Sequence, residues 1–294
     1  MLEFKKVTLE DFEIIKAYYE AYPARQCDRS TGATVMWRDY YDNHYATFDG
    51  TIIFSSNFTG DVCFTYPIGR NVSGMLDELE KYCKANGIPM TLCSVNNAEL
   101  PAVLKKYPDC GHSADRDWFD YLYEKEAILS LAGRKYSTQR NHINKFKKLY
   151  SDYSFDVITD NDIPQLIDFT KNFTFNSEKD DSARQELGIC IEVLENYKKY
   201  NMLGGVLRVN GKIIGYSIGE IIGDTLFDHI EKADISYHGA YQMLTNSFLK
   251  EFAADESVKY VNREEDCGDE GLRKSKLSYH PVELIEKNTI KIAL

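Results

Sequence analysis

The chain has 294 residues, 43% hydrophobic and 13% aromatic, enough apolar material for about two cores at roughly 100–200 residues per domain. Its formal charge of −11 opposes nonspecific binding to nucleic acid or anionic membrane over most of the surface. No run approaches the roughly 20 apolar residues that cross a bilayer, and Met1-Leu2-Glu3-Phe4 leads into a patterned segment rather than a signal peptide, so a cytoplasmic protein without a membrane span is expected. The seven cysteines are scattered and never spaced C-x-x-C, which fits reduced thiols better than disulfides or a zinc site, and no metal is expected.

Phe4, Thr8, Asp11 and Phe12 open a strand that leads into a capped helix, and the pattern returns at Phe155, Thr159, Asp162 and Ile163. Tight-turn signals follow in both halves, at Asp49-Gly50 and Thr59-Gly60 and again at Asn210-Gly211 and Gly223-Asp224, separating β-rich runs. Val72, Met75, Leu76, Leu79, Tyr82 and Cys83 fall at helical spacing, as do Leu100, Val103, Leu104 and Tyr107. In the second half Leu187, Ile191, Leu194 and Tyr197 form such a stripe, and Tyr241, Leu244, Phe248 and Phe252 form another. Strands are expected over 203–209, 212–221 and 225–231 as a meander, then over 258–262 and 282–292. Each half reads β-α-β-β-β-α-β-α-β, an α/β fold with mixed sheets, divided into a domain of residues 1–130 and one of 131–294.

Between the halves, residues 127–150 read as a helical connector. Its stretch from Gly133 to Lys148 carries Arg134, Lys135, Arg140, Lys145, Lys147 and Lys148 with no acid. A solvated helix face shows such a run, and so does a grip on phosphates. Gly215-Tyr216-Ser217-Ile218-Gly219 fits the G-x-S-x-G nucleophile pattern, but that pattern needs a sharp strand-to-helix turn, and here the strand continues through Glu220. The acidic clusters Asp180-Asp181 and Glu264-Glu265-Asp266 lack the regular ligand spacing of a calcium loop and read as solvated loops. His229 and Glu231 alternate with Asp228 and Ile230 along one strand, which puts them on a shared side as candidates to accept a proton.

The element order resembles the GNAT acetyltransferase fold, and two copies in one chain resemble the tandem arrangement of Fem-type aminoacyl transferases. Leu131-Ala132-Gly133-Arg134-Lys135-Tyr136 and Arg140-Asn141-His142-Ile143-Asn144-Lys145-Phe146, with the later run from Gly271 to Pro281, look like the C-terminal domain of phosphatidylglycerol lysyltransferases. The resemblance implies two tandem GNAT-like acyltransferase domains and an acyl donor as co-substrate, with no tightly bound cofactor. It implies a catalytic role for Lys276, whose counterpart in the closing motif of those families lies at the reactive carbonyl, with Arg273 and Tyr279 as flanking carboxylate or phosphate contacts. Donor phosphates would meet the start of the helix after the second meander, at Tyr237, His238, Gly239 and Ala240, because a helix N-terminus offers unpaired N–H groups and partial positive charge. Arg134, Lys135, Arg140 and Lys145 would extend that contact. Neither half carries the glycine-rich loop usual in acetyl-CoA enzymes of this fold, which favours aminoacyl-tRNA over acyl-CoA as donor. An amine or hydroxyl of a small molecule, lipid headgroup or peptide would be the acceptor. An acetyl-CoA-type N-acyltransferase and a catalytically silent binding protein of the same fold are the alternatives.

Overall fold

A computed structural model describes residues 2–58, 60–173 and 181–294. Thr59, expected in a turn, and Asp180 of the first acidic pair lie outside the described residues, as does the Asp181 side chain. The chain divides into two compact units, one of Met1–Tyr121, Glu264–Arg273 and Glu283–Leu294, the other of Leu122–Arg263 and Lys274–Val282. The sequence predicts a second domain of residues 131–294. Two late segments instead belong to the first unit.

Both units are built on a mixed sheet with one strand order. In the first, Lys5–Lys6, His44–Phe48, Thr51–Phe58 and Asp61–Thr65 run antiparallel; Met90–Asn96 then pairs parallel with Asp61–Thr65, and Lys287–Ile292 and Gly111–Ala114 follow antiparallel. In the second, Tyr153–Val157, Leu203–Val209, Lys212–Ile222 and Thr225–Ala233 form the antiparallel part. Tyr260–Asn262 pairs parallel with the last of these and antiparallel with Leu122, Tyr123 and Glu124 of the strand Asp120–Glu124. The strand after the parallel pair is thus a distant one in each sheet: the C-terminal strand Lys287–Ile292 takes that place in the first and Asp120–Glu124 in the second. The sequence predicts that each half closes on its own last strand. An alternating pattern specifies which face of a strand is buried and leaves open which edge it joins.

The repeated N-terminal pattern is a repeated hydrogen-bond motif. Asp11 Oδ2 accepts from the Thr8 backbone N–H and hydroxyl, each at 2.9 Å, and Asp162 Oδ2 accepts from the same two groups of Thr159 at 2.8 and 2.7 Å. The turns at Asp49-Gly50 and Asn210-Gly211 carry positive φ at both residues, as their composition demands. The helix Val72–Asn86 lays Met75, Leu76, Leu79 and Cys83 onto the first sheet, where Ile53, Phe64, Leu92 and Ile290 complete the core. The connector expected as one helix is broken into Lys125–Ser130 and Ser137–Leu149, because Leu131 and Gly133 take positive φ and end the first piece.

The acidic run beginning at Glu264 is no solvated loop. Asp266 is wholly buried in the first unit and accepts from Arg273 at 3.0 and 2.7 Å, from Tyr121 at 2.5 Å and from the Gly268 N–H at 3.0 Å. Burial pushes its pKa up, but these hydrogen bonds outweigh it and hold the group at about 2, below the ordinary 3.8. A lowered carboxylate pKa stabilises the fold above the unfolded value, and that contribution fades as pH falls from about 3.8 toward 2. Asp266→Asn is therefore expected to cost about 2–3 kcal/mol near neutral pH. In thermal melts from pH 7 to 3 the gap to the parent should narrow with acid; a gap independent of pH would refute the assignment.

Candidate active site

The second unit has a natural opening in its sheet. Thr225–Ala233 and Tyr260–Asn262 pair only over Thr225, Leu226 and Phe227, so among the described residues the remainder of the longer strand has no neighbour in the sheet on that side. At the same level the pairing with Lys212–Ile222 slips: Ile218 faces Ile230, Gly219 faces Asp228, and His229 is bulged between them. Gly219 is obligatory there, since a Cβ would lie 2.1 Å from the Phe227 carbonyl oxygen. The bulge also changes which side chains share a face. Simple alternation set Glu231 with His229 and opposite Asp228, but the extra residue brings Asp228 and Glu231 together around one cation.

That cation is Arg263, which follows Asn262 at the point where the strands part. Its Nη2 donates to Glu231 Oε2 at 2.5 Å, its Nε lies 3.9 Å from Asp228 Oδ2, and the Tyr279 ring covers its guanidinium at 5.0 Å. Asp228 also accepts from the Ser217 hydroxyl at 2.6 Å, so the serine of the G-x-S-x-G match is a buried mid-strand residue. Glu231 Oε1 accepts from Thr245 on the helix Ala240–Phe252. Burial opposes the charge of Arg263, but Glu231, Tyr123, Tyr279 and Asp228 around it hold the guanidinium above its ordinary pKa. Arg263 is 8% exposed, and its Nη1 has no hydrogen-bond partner among the described residues. A buried donor left unpaired costs about 1–3 kcal/mol, which makes it a point where a carbonyl or carboxylate would be held. Nothing in the sequence singles out Arg263, because a lone arginine ahead of three acids gives no local signal.

The predicted residues divide. His229 has a buried ring, with Nε2 3.0 Å from Glu220 Oε1, so it pairs with Glu220 while Glu231 serves Arg263. Lys276 is buried in the second unit, and its backbone carbonyl accepts from the Tyr123 hydroxyl at 2.8 Å. Tyr279 is buried against Arg263, and burial pushes its pKa up to about 12. Arg273 belongs to the first unit, where Asp266 and Asp117 hold it.

The helix Ala240–Phe252 starts at Gly239, whose φ is +79° and whose Cβ, if present, would meet the His142 carbonyl oxygen at 2.6 Å. This helix start is therefore packed against the basic helix. The His238 N–H donates to Tyr150 Oη at 3.1 Å, His238 Nε2 lies 3.2 Å from His142 Nδ1, and the Tyr237 ring stands 5.2 Å from that of Tyr150. Desolvation, then Lys145, then His142 lower the His238 pKa. Arg134 and Lys135 are exposed, and Arg140 donates to the Leu131 and Gly133 carbonyls. Lys145 lies five residues after Arg140 and so on another face. Beside the loop leading to Gly239, a cavity of about 510 Å³ has Phe169, Phe173 and Ile213 in its wall and Asp168, Asp234 and Lys212 among its polar residues.

The first unit holds a second charged cluster. Lys287 Nζ lies 2.6 Å from Asp28 Oδ2 and from Asp120 Oδ1, 3.4 Å from Glu265 Oε2 and 3.2 Å from Cys27 Sγ. Donor atoms of Cys27, Asp28 and Asp120 converge as they would on a metal ion, yet the Lys287 ammonium already supplies the positive charge among them.

The sequence profile of the family described as phosphatidylglycerol lysyltransferase, C-terminal, matches residues 19–291. The chain belongs to this family. A crystal structure of a protein of unknown function from Bacteroides thetaiotaomicron is 32% identical over the whole of both chains, with a TM-score of 0.92. L-PGS from Bacillus licheniformis shares the fold at 12% identity and a TM-score of 0.69, over 95% of this chain and 91% of that one. FemX shares it at 8% identity and 0.64, over 99% and 97%. An uncharacterised protein of Mycoplasmoides gallisepticum is 26% identical over 174 residues, 59% of this chain and 56% of its own length, so the chain matches about half of that curated relative. Membership of this family supports an acyltransferase, and the fold is the one shared with L-PGS and FemX. Among the described residues, no helix is long and apolar enough to cross a membrane.

Proposed function

We propose that the chain is an aminoacyl transferase whose donor is an aminoacyl-tRNA, with the reacting carbonyl held at Arg263. The observation that carries this reading is the buried Nη1 of Arg263, unpaired where the two strands of the second sheet part. When an acceptor amine or hydroxyl attacks the donor ester, the new bond forms at the carbonyl carbon and negative charge develops on its oxygen. The ester C–O bond then breaks, and the leaving ribose hydroxyl takes up the proton that the nucleophile gives up. A preplaced guanidinium N–H suits the oxyanion, and Glu231 and the His229–Glu220 pair are the nearby groups able to relay the proton. The cavity beside Asp168 and Asp234 has the size of a small-ligand site.

Incubating the protein with tRNA charged with labelled amino acids, against acyl-CoA, and with peptide, amine and lipid-headgroup acceptors, tests the donor and the reaction together. Label leaving tRNA for an acceptor is expected. Transfer from acyl-CoA alone would overturn the donor. No transfer from any donor, with binding intact, would leave a silent binding protein.

A further inference from the structure

The second unit carries another small cavity, of about 150 Å³, between the helices Ser137–Leu149 and Ala240–Phe252. Arg140 and Lys147 line it from the first helix, with Asn144 between them, two turns of one face. Lys250 and Asn246, one turn apart, line it from the second. Asn246 is 6% exposed and donates to the Leu129 carbonyl at 3.3 Å, which fixes its carboxamide at the wall, while Lys147 and Lys250 are exposed. Among the described residues, Arg140, Lys147 and Lys250 form no ion pair; Arg140 has only the carbonyls of Leu131 and Gly133. On a chain of formal charge −11, where acids outnumber bases 46 to 35, three converging cations without a carboxylate among them are conspicuous.

We infer that this cavity is a phosphate-binding site, and that its phosphate comes from the backbone of the donor RNA. Three positive charges with amide donors of Asn144 and Asn246 match an oxyanion that accepts several hydrogen bonds at once, a demand a lone carboxylate does not make. The inference rests on the aminoacyl-tRNA reading for the source of the phosphate; the pentad of side chains stands for the phosphate itself. Of Arg134, Lys135, Arg140 and Lys145, only Arg140 lines this cavity, and Lys147 and Lys250 are its other cations.

The test is a Kd series for unfractionated tRNA, measured by fluorescence anisotropy from about 50 to 200 mM salt, for the parent, for a Lys147→Gln, Lys250→Gln double variant and for a Lys84→Gln, Lys105→Gln control on the exposed surface of the first unit. Each lost phosphate contact removes roughly 0.7–0.9 from the log–log salt slope, so the double variant, which strips most of the positive charge from one phosphate, should lose up to about that much slope and bind roughly tenfold more weakly at the low-salt end. The control should follow the parent, and the melting temperature of both should hold because the substituted side chains are exposed. A parent that binds tRNA and a double variant with unchanged slope overturn the site and leave the donor reading standing. Binding of CoA but not tRNA, lost in the double variant, supports the phosphate site and overturns RNA as its source. Loss confined to phosphatidylglycerol vesicles likewise supports a phosphate site and overturns RNA as its source, whereas equal loss in the control, or a parent that binds no phosphate compound at all, overturns the inference.

Discussion

Lys287→Met is expected to lower stability by about 3–5 kcal/mol at pH 7 and to recover part of that loss on acidification, because the substitution strands carboxylates in a site with little water. Asp120 is 0% exposed, and Cys27 donates its backbone N–H to Asp120 Oδ2 at 2.6 Å. Burial pushes Asp120 up to about 6 even with Lys287 in place, against the pull of Lys287 and with a further push from Glu265 and Asp28. Asp28 is the converse: burial raises it, but Lys287 and Ser94, which donates at 2.6 Å, bring it below the ordinary carboxylate value. Burial lowers the Lys287 ammonium, and the surrounding Asp120, Asp28, Cys27 and Glu265 raise it well above its usual pKa. Without the ammonium, native carboxylates bind protons at a pH where the unfolded chain, titrating near 3.9, does not. The native state then holds more protons than the unfolded one, so the stability of the variant rises as pH falls from about 7 toward 4. Urea midpoints at pH 7.5, 6 and 5 would show this. A variant that keeps the pH profile of the parent, merely displaced, would mean the cluster does not depend on Lys287. Lys287→Arg, which keeps the charge but not the shape, should lose less at pH 7 and gain less in acid.

The contrast between this cluster and the repeated motif shows what a chain discloses about itself. Thr8 with Asp11 and Thr159 with Asp162 interact across three residues, and Asn210-Gly211 carries its turn in its own φ preferences, so element order and duplication were readable from local chemistry. Cys27 meets Asp120 across 93 residues and Lys287 across 260, and no periodicity reports contacts of that range. The exchanged strands belong to the same class: Lys287–Ile292 reads as a strand, but nothing in its alternation says that Met90–Asn96 is its partner. The bulge at His229 was hidden differently, since one unpaired residue inverts every facing relation beyond it, and the only trace is the glycine opposite, Gly219. Tyr279 and Lys276 were found through family resemblance and prove buried in the same unit as Arg263, which has no motif at all.

Arg263→Lys is expected to cut single-turnover aminoacyl transfer by about 10²–10³-fold while the protein remains folded, because one oxyanion donor is commonly worth that much. A lysine ammonium can still pair with Glu231, now held by Arg263 Nη2 at 2.5 Å and by Thr245 on its other oxygen. It has no planar fork, however, and cannot serve Glu231, approach Asp228 and keep a further N–H free for a ligand. The expected loss lies in the rate of the bound complex rather than in KM, since charge on the carbonyl oxygen develops only after binding. A purely structural arginine would give a different picture: fewer active molecules, each with parental rate, and a lowered melting point. Tyr279→Phe separates the two further. The ring that covers the guanidinium at 5.0 Å is kept, and a hydroxyl with pKa near 12 carries no charge to lose at neutral pH, so transfer should stay within a few-fold of the parent. If Arg263→Lys turned over like the parent while Tyr279→Phe did not, the reacting carbonyl would not lie at Arg263, and the phenol would become the group to place beside it.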